Sequence, residues 1–318
     1  MIAWEVHVKL KGLIAAVSAA ILDVYFVAAS GAYAQTNHFV ASGATPQPVS
    51  FDLGGGAAGG PSVDSDGNVY FTLTLLGANK TGSIQKWDSA TGKVTKYKDV
   101  DGGAIGTAID TKGRLLVGEW TAERITIDDL KGHVTVLVDS IDGRKLLDPN
   151  AIIADRRGGI YFTESGDSSA SELSGIDYIQ PNEKSAKRVA TLRGARKVIL
   201  SPDGTTLIAS GAGNKLWKYT VAADGSLADQ KEFCSDKCAN PVAFDESGDV
   251  YMLGDQLLIY SLQGEQLAAI PMPIRFSNAA FAGGDRKTLF MTGHDGMYTL
   301  RMATRGAPSA VDLERSKK

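Results

Sequence analysis

The chain has 318 residues, of which 43% are apolar and 22% charged, with a formal net charge of -3 at neutral pH. These are ordinary values for a globular domain that buries a large core, and with no basic cluster in view they exclude nucleic acid as a partner. Beyond the N-terminus no segment approaches the roughly 18 uncharged apolar residues of a membrane span, so no such span is expected in the mature chain.

Residues 1–34 read as a secretory signal. Lys9 and Lys11 precede an apolar run from Leu13 to Leu22, and Ala32-Tyr33-Ala34 before Gln35 has the small-x-small form of a cleavage site. Asp23 leaves an uncleaved N-terminal anchor as the alternative. The expected location is secreted or periplasmic.

From Gln35 onward the chain is a repeat. The segment DPNAIIADRRGGIYFTE, Asp148 to Glu164, joins two apolar, β-rich segments through a glycine turn, which is a β-hairpin in sequence form. Similar hairpins start at Gly60, Gly106, Lys197, Asn240 and Asn278. Their turn glycines Gly67, Gly113, Gly158, Gly204 and Gly248 lie 46, 45, 46 and 44 residues apart, and Lys287 takes the equivalent place in the sixth copy. Strand and turn signals at this period, with negligible helix signals, predict a propeller blade. Residues 35–318 divide into about 47 per blade for six blades and about 41 for seven, and the period fits six.

The predicted fold is therefore all-β, a six-bladed β-propeller over 35–305, with hairpins at Pro61, Thr107, Ala151, Val198, Val242 and Ala279 innermost. The segment Thr36 to Ser50 is expected to supply a strand that completes the last blade. Residues 306–318 lack apolar periodicity and read as a flexible tail. The recurring Asp64, Asp110, Asp155, Asp203 and Asp245 sit beside the hairpin turns and read as turn residues. Cys234 and Cys238 are expected to close a small disulfide in an oxidising compartment, with free thiols or half a metal site as alternatives. The dispersed His38, His133 and His294 do not provide zinc pairs.

YFTE after PNAIIADRRGG, the block AADGSLADQKEF from Ala222, the segment IDGRKLLDPNAI and the run from Gly264 to Met302 resemble gluconolactonases. More broadly they resemble the family of regucalcin (senescence marker protein), sugar lactonases and luciferin-regenerating enzyme, over nearly all of the mature chain. The resemblance implies a six-bladed propeller with a divalent metal, often calcium, at one end of the central channel. It also implies hydrolysis of sugar lactones or related cyclic esters, with a small polar molecule as the ligand.

Carried over by position, the implied metal set is eroded. Gly59 stands where the family has a glutamate, Arg196 where it has an asparagine and Asn240 where it has an aspartate, while Asn150 and Asn278 match. The metal candidates that remain are Asn150 and Asn240. With both carboxylates missing, Arg196 is expected to face the channel and take over part of the cation's work, with Asn150, Asn240 and Asn278 binding the ligand around it. These asparagines also fit a second reading as turn residues that bond their own backbone. Asp148 and Glu164 flank the third hairpin and read either as a catalytic acid or as solvated loop carboxylates. The candidate catalytic set is Asn150, Arg196 and Glu164. The competing function is a non-catalytic propeller that binds a small polar ligand or a protein.

Overall fold

A computed structural model describes residues 38–75, 81–165, 172–234 and 238–316. The signal sequence proposed for residues 1–34 lies outside them, as does most of the polar insertion after Glu164.

Six four-stranded antiparallel sheets follow one another around a central channel. Their innermost strands are Gly56–Val63, Ala104–Ile109, Pro149–Ala154, Val198–Leu200, Asn240–Phe244 and Asn278–Ala282, the positions expected from the repeat. We number the blades 1 to 6 in that order. Blade 6 takes its outermost strand, Gln47–Pro48, from the other end of the propeller, and a bridge from Val40 to Met302 ties down the same segment. The ring thus closes on the N-terminal segment, as the sequence suggested.

Alternation along each strand explains how the blades cohere. Neighbouring side chains point to opposite faces of a sheet, so Tyr70 packs toward blade 2 while Phe71 packs toward blade 6. Phe162 and Tyr161 divide in the same way between blades 2 and 4. The result is six buried apolar clusters, one for each pair of neighbouring blades. The closing pair is locked by Phe290, whose ring lies 5.7 Å from Phe71 and 5.1 Å from Trp87. The repeated turn aspartates act as expected: Asp64, Asp110, Asp155 and Asp245 each accept two backbone N–H bonds within their own turns, and Asp203 accepts one.

The reading of 306–318 as a flexible tail fails for its central part. A helix, Ala310–Arg315, begins with a capping box in which Ser309 and Asp312 bond reciprocally, burying Ala310 and Val311. The Ala307 N–H donates to the Phe244 carbonyl of blade 5 at 3.0 Å, while Val311 packs among Tyr70, Ile109 and Leu115 of blades 1 and 2. The segment therefore crosses the C-terminal end of the inner strands. Six residues are too few to show periodicity, and the only sequence signal is the spacing of Ser309 and Asp312.

Candidate functional site at the channel mouth

The channel encloses a cavity of about 260 Å³, at the small end for a small-molecule site. Ala307, Ser309, Ala310 and Leu313 line its far end, and the N-terminal ends of the inner strands form its mouth.

Around the mouth the blades contribute unequally. Gly60 has φ of 42°, and a Cβ on it would lie 2.1 Å from the Ile105 carbonyl oxygen; a Cβ on Gly106 would lie 1.9 Å from the Asn150 carbonyl oxygen. Glycine is required at both places, so these two positions bring backbone to the mouth, while the hydroxyl of Thr107 is committed to the Gly60 carbonyl and to Ser62 Oγ. Blade 5 contributes Pro241, and blades 3, 4 and 6 contribute Asn150, Lys197 and Asn278.

Lys197 is the residue that the sequence reading missed. It immediately precedes the inner strand of blade 4, where its N–H donates to Ser210 Oγ and its carbonyl accepts from the Ser210 N–H, both at 3.0 Å. From there the side chain passes blade 5, and Nζ donates to Asn278 Oδ1 on blade 6. The Asn278 amide in turn donates to Ser277 Oγ at 3.1 Å. Burial first, then the neighbouring Arg196 charge, lowers the Lys197 ammonium to about 8. Asn150 is 9% exposed. Its side chain makes no hydrogen bond to the described residues, which leaves its amide available to a ligand.

The other predicted site residues are elsewhere. Arg196 is exposed and lines, with Asn240, Asn214, Asp255 and Arg275, a separate groove of about 760 Å³ between blades 4 and 5. The expected channel-facing cation is therefore one residue further on. Alternation along the chain accounts for the difference, because adjacent side chains cannot both face the channel. Cys234 and Cys238 form a disulfide with Cα atoms 5.9 Å apart, and Cys238 borders the same groove.

Glu164 is fully buried and fully committed. Arg144 approaches it at 3.0 and 2.7 Å, Arg188 at 2.6 Å and the Leu147 N–H at 2.6 Å. Burial would raise its pKa, but these donors outweigh burial and hold it below the usual value. It has neither the proton nor the free oxygen of a general acid, so the sequence-based role for Glu164 is withdrawn. Arg144 comes from a small hairpin, Ser140–Ile141 with Arg144–Lys145, that the sequence did not announce. Arg188 also bonds Asp177 at 2.6 Å. Burial, with the Glu164 charge nearby, raises Asp177 to about 7.

A divalent metal does not fit the residues at the mouth. Among the described residues no three His, Cys, Asp or Glu side chains gather as ligands, and no carboxylate lines the channel. A Cβ on Gly59 would already press on Thr72 Oγ1 at 3.1 Å, so the space of the family glutamate is partly filled. The Lys197 ammonium adds repulsion: at about 4 Å and an effective dielectric of about 20, it opposes a divalent ion by roughly 8 kcal/mol.

The sequence model of the SMP-30/Gluconolactonase/LRE-like region matches residues 58–295. The gluconolactonase of Zymomonas mobilis is 23% identical over 232 residues, 64% of this chain, and the chain spans 64% of that curated relative's length. The solved structure of a Xanthomonas campestris gluconolactonase, XC5397, superposes with a TM-score of 0.73 at 24% identity, covering 83% of this chain and 91% of the other. Luciferin-regenerating enzyme superposes with a TM-score of 0.68 at 17% identity, covering 84% and 98%. At these identities the structural likeness establishes the fold.

Proposed function

The chain belongs to the SMP-30/gluconolactonase/LRE-like family, and we propose that it hydrolyses a small polar lactone or related cyclic ester at the mouth of its central channel. The observation that carries this reading is the placement of Asn150, Lys197 and Asn278 on three blades above a small cavity that is closed below by the C-terminal helix segment. Asn150 and Lys197 can donate to the carbonyl oxygen of a bound ester, and such donors matter most as negative charge develops on that oxygen. Water adds to the carbonyl carbon, the ring C–O bond breaks, and the products are a hydroxyl and a carboxylic acid. The Cys234–Cys238 disulfide supports a working location outside the reducing cytoplasm, in keeping with the signal proposed at residues 1–34.

One observation favours a second reading, a binding protein without turnover: among the described residues the channel lining carries no carboxylate or histidine to serve as a general base. Incubating the purified protein with a panel of sugar γ- and δ-lactones and following acid release separates the two. Turnover that is lost in Asn150→Ala supports hydrolysis. A panel that is bound but not consumed leaves the binding reading.

A further inference from the structure

We infer that the Lys197 ammonium occupies the role of the divalent cation in this chain, so that the mouth works without metal and selects ligands that present a carbonyl or carboxylate oxygen. The inference rests on the proposed location of the site and goes beyond it in naming the group that replaces the metal.

Three observations carry it. First, Lys197 reaches from blade 4 to Asn278 on blade 6, past the apolar Pro241 of blade 5, which sets its ammonium across the mouth rather than along the wall. Second, an ammonium has three donors, and among the described residues Asn278 is its only hydrogen-bond acceptor. Donors are left for a ligand, with the uncommitted Asn150 amide on a neighbouring blade to share the same oxygen. Third, among the described residues no acidic side chain lines the channel, while Arg196 stands next in sequence and Arg156 lines the cavity further along. An anionic or strongly polar oxygen is the missing complement to this set. The lowered proton affinity of Lys197 follows from the same arrangement, since a half-buried ammonium with one neutral partner is poorly solvated.

For an ester ligand the bonding balances without a metal. The ammonium donates to the carbonyl oxygen while the water oxygen bonds to the carbonyl carbon, and it holds the resulting oxyanion until the ring C–O bond breaks. The departing alkoxide takes up one water proton, and the acid releases the other to solvent. The open-chain hydroxy-carboxylate product offers the same ammonium a full negative charge. This predicts that the product binds at least as tightly as the lactone.

The test uses the full chain dialysed against EDTA, with δ-gluconolactone and gluconate as probes, and with Lys197→Met and Lys197→Arg alongside. Gluconate should bind with an affinity changed less than twofold by EDTA or by added calcium, Lys197→Met should weaken it at least tenfold, and Lys197→Arg should retain part of it. Added calcium should leave the melting temperature unmoved. The inference is overturned if calcium is required for binding, if Lys197→Met binds as the parent does, or if neither probe binds. Following lactone consumption in the same samples keeps the two readings apart. Turnover that needs calcium defeats this inference and leaves hydrolysis standing, whereas Lys197-dependent gluconate binding without turnover defeats hydrolysis and leaves this inference standing.

Discussion

The Glu164 cluster and the channel mouth both draw charge out of bulk water, and they hold it differently. At the edge of blade 3, Glu164 meets two guanidinium groups and a backbone N–H, and Arg188 extends the network to Asp177. At the channel mouth the Lys197 ammonium has, among the described residues, one neutral acceptor. Saturated charge fixes structure: the first cluster pins the Ser140–Lys145 hairpin against blade 3. Under-satisfied charge beside a cavity is a place for a ligand. Counting partners therefore assigns roles where residue type does not, since a buried glutamate is the more familiar catalytic group.

The largest effect should come from the saturated cluster. Glu164→Gln removes the charge that Arg144 and Arg188 share and should cost about 3 kcal/mol, read from the urea midpoint. Gluconate affinity of the folded protein should stay within threefold. Loss of binding at unchanged stability would break the division between the two regions.

The mouth should respond in the opposite direction. Lys197 has its proton affinity lowered on folding, so between about pH 8 and its ordinary value of 10.5 the unfolded chain holds a proton that the folded chain does not. Its contribution to stability therefore rises with pH through that window and is unfavourable below it. Lys197→Met should stabilise the protein at pH 7 by roughly 1 to 2 kcal/mol, allowing for partial access of water. Destabilisation of that size would show that the ammonium is a structural anchor.

Asp177 sharpens the contrast within the cluster. Its folded-state proton affinity is raised, so from about pH 4 to about pH 7 the folded chain holds a proton that the unfolded chain lacks, and this contribution to stability falls as pH rises. Asp177→Asn imitates the protonated form. It should match the parent at pH 4 and exceed it at pH 8, measured by denaturant titration at both values. The smallest change should be at the channel's far end, where Ser309→Ala removes a helix cap at about 1 kcal/mol and leaves gluconate affinity unaltered.

The fold was legible in the sequence because each blade repeats the same alternation and the same turn chemistry. Gly67, Gly113 and Gly158 mark the blades as plainly in the chain as in the structure. The N-terminal closing strand was also readable, as was the proximity of Asn150 and Asn278 to the channel. The site was legible only in part. Choosing Lys197 over Arg196 depends on which of two adjacent cations faces inward, and a one-residue change of register reverses that answer. The commitment of Glu164 depends on Arg144 and Arg188, 20 and 24 residues away in opposite directions, through contacts that no local pattern encodes.

NMR titration of the isotopically labelled chain, assigned against Lys197→Met, measures the state of the side chain on which ligand capture at the mouth depends. If the Lys197 ammonium captures the ligand, a midpoint near pH 8 is expected in the free protein, with an upward shift when gluconate binds, because an anion favours the charged ammonium. A midpoint at the ordinary lysine value near 10.5, unmoved by gluconate, would contradict capture by Lys197.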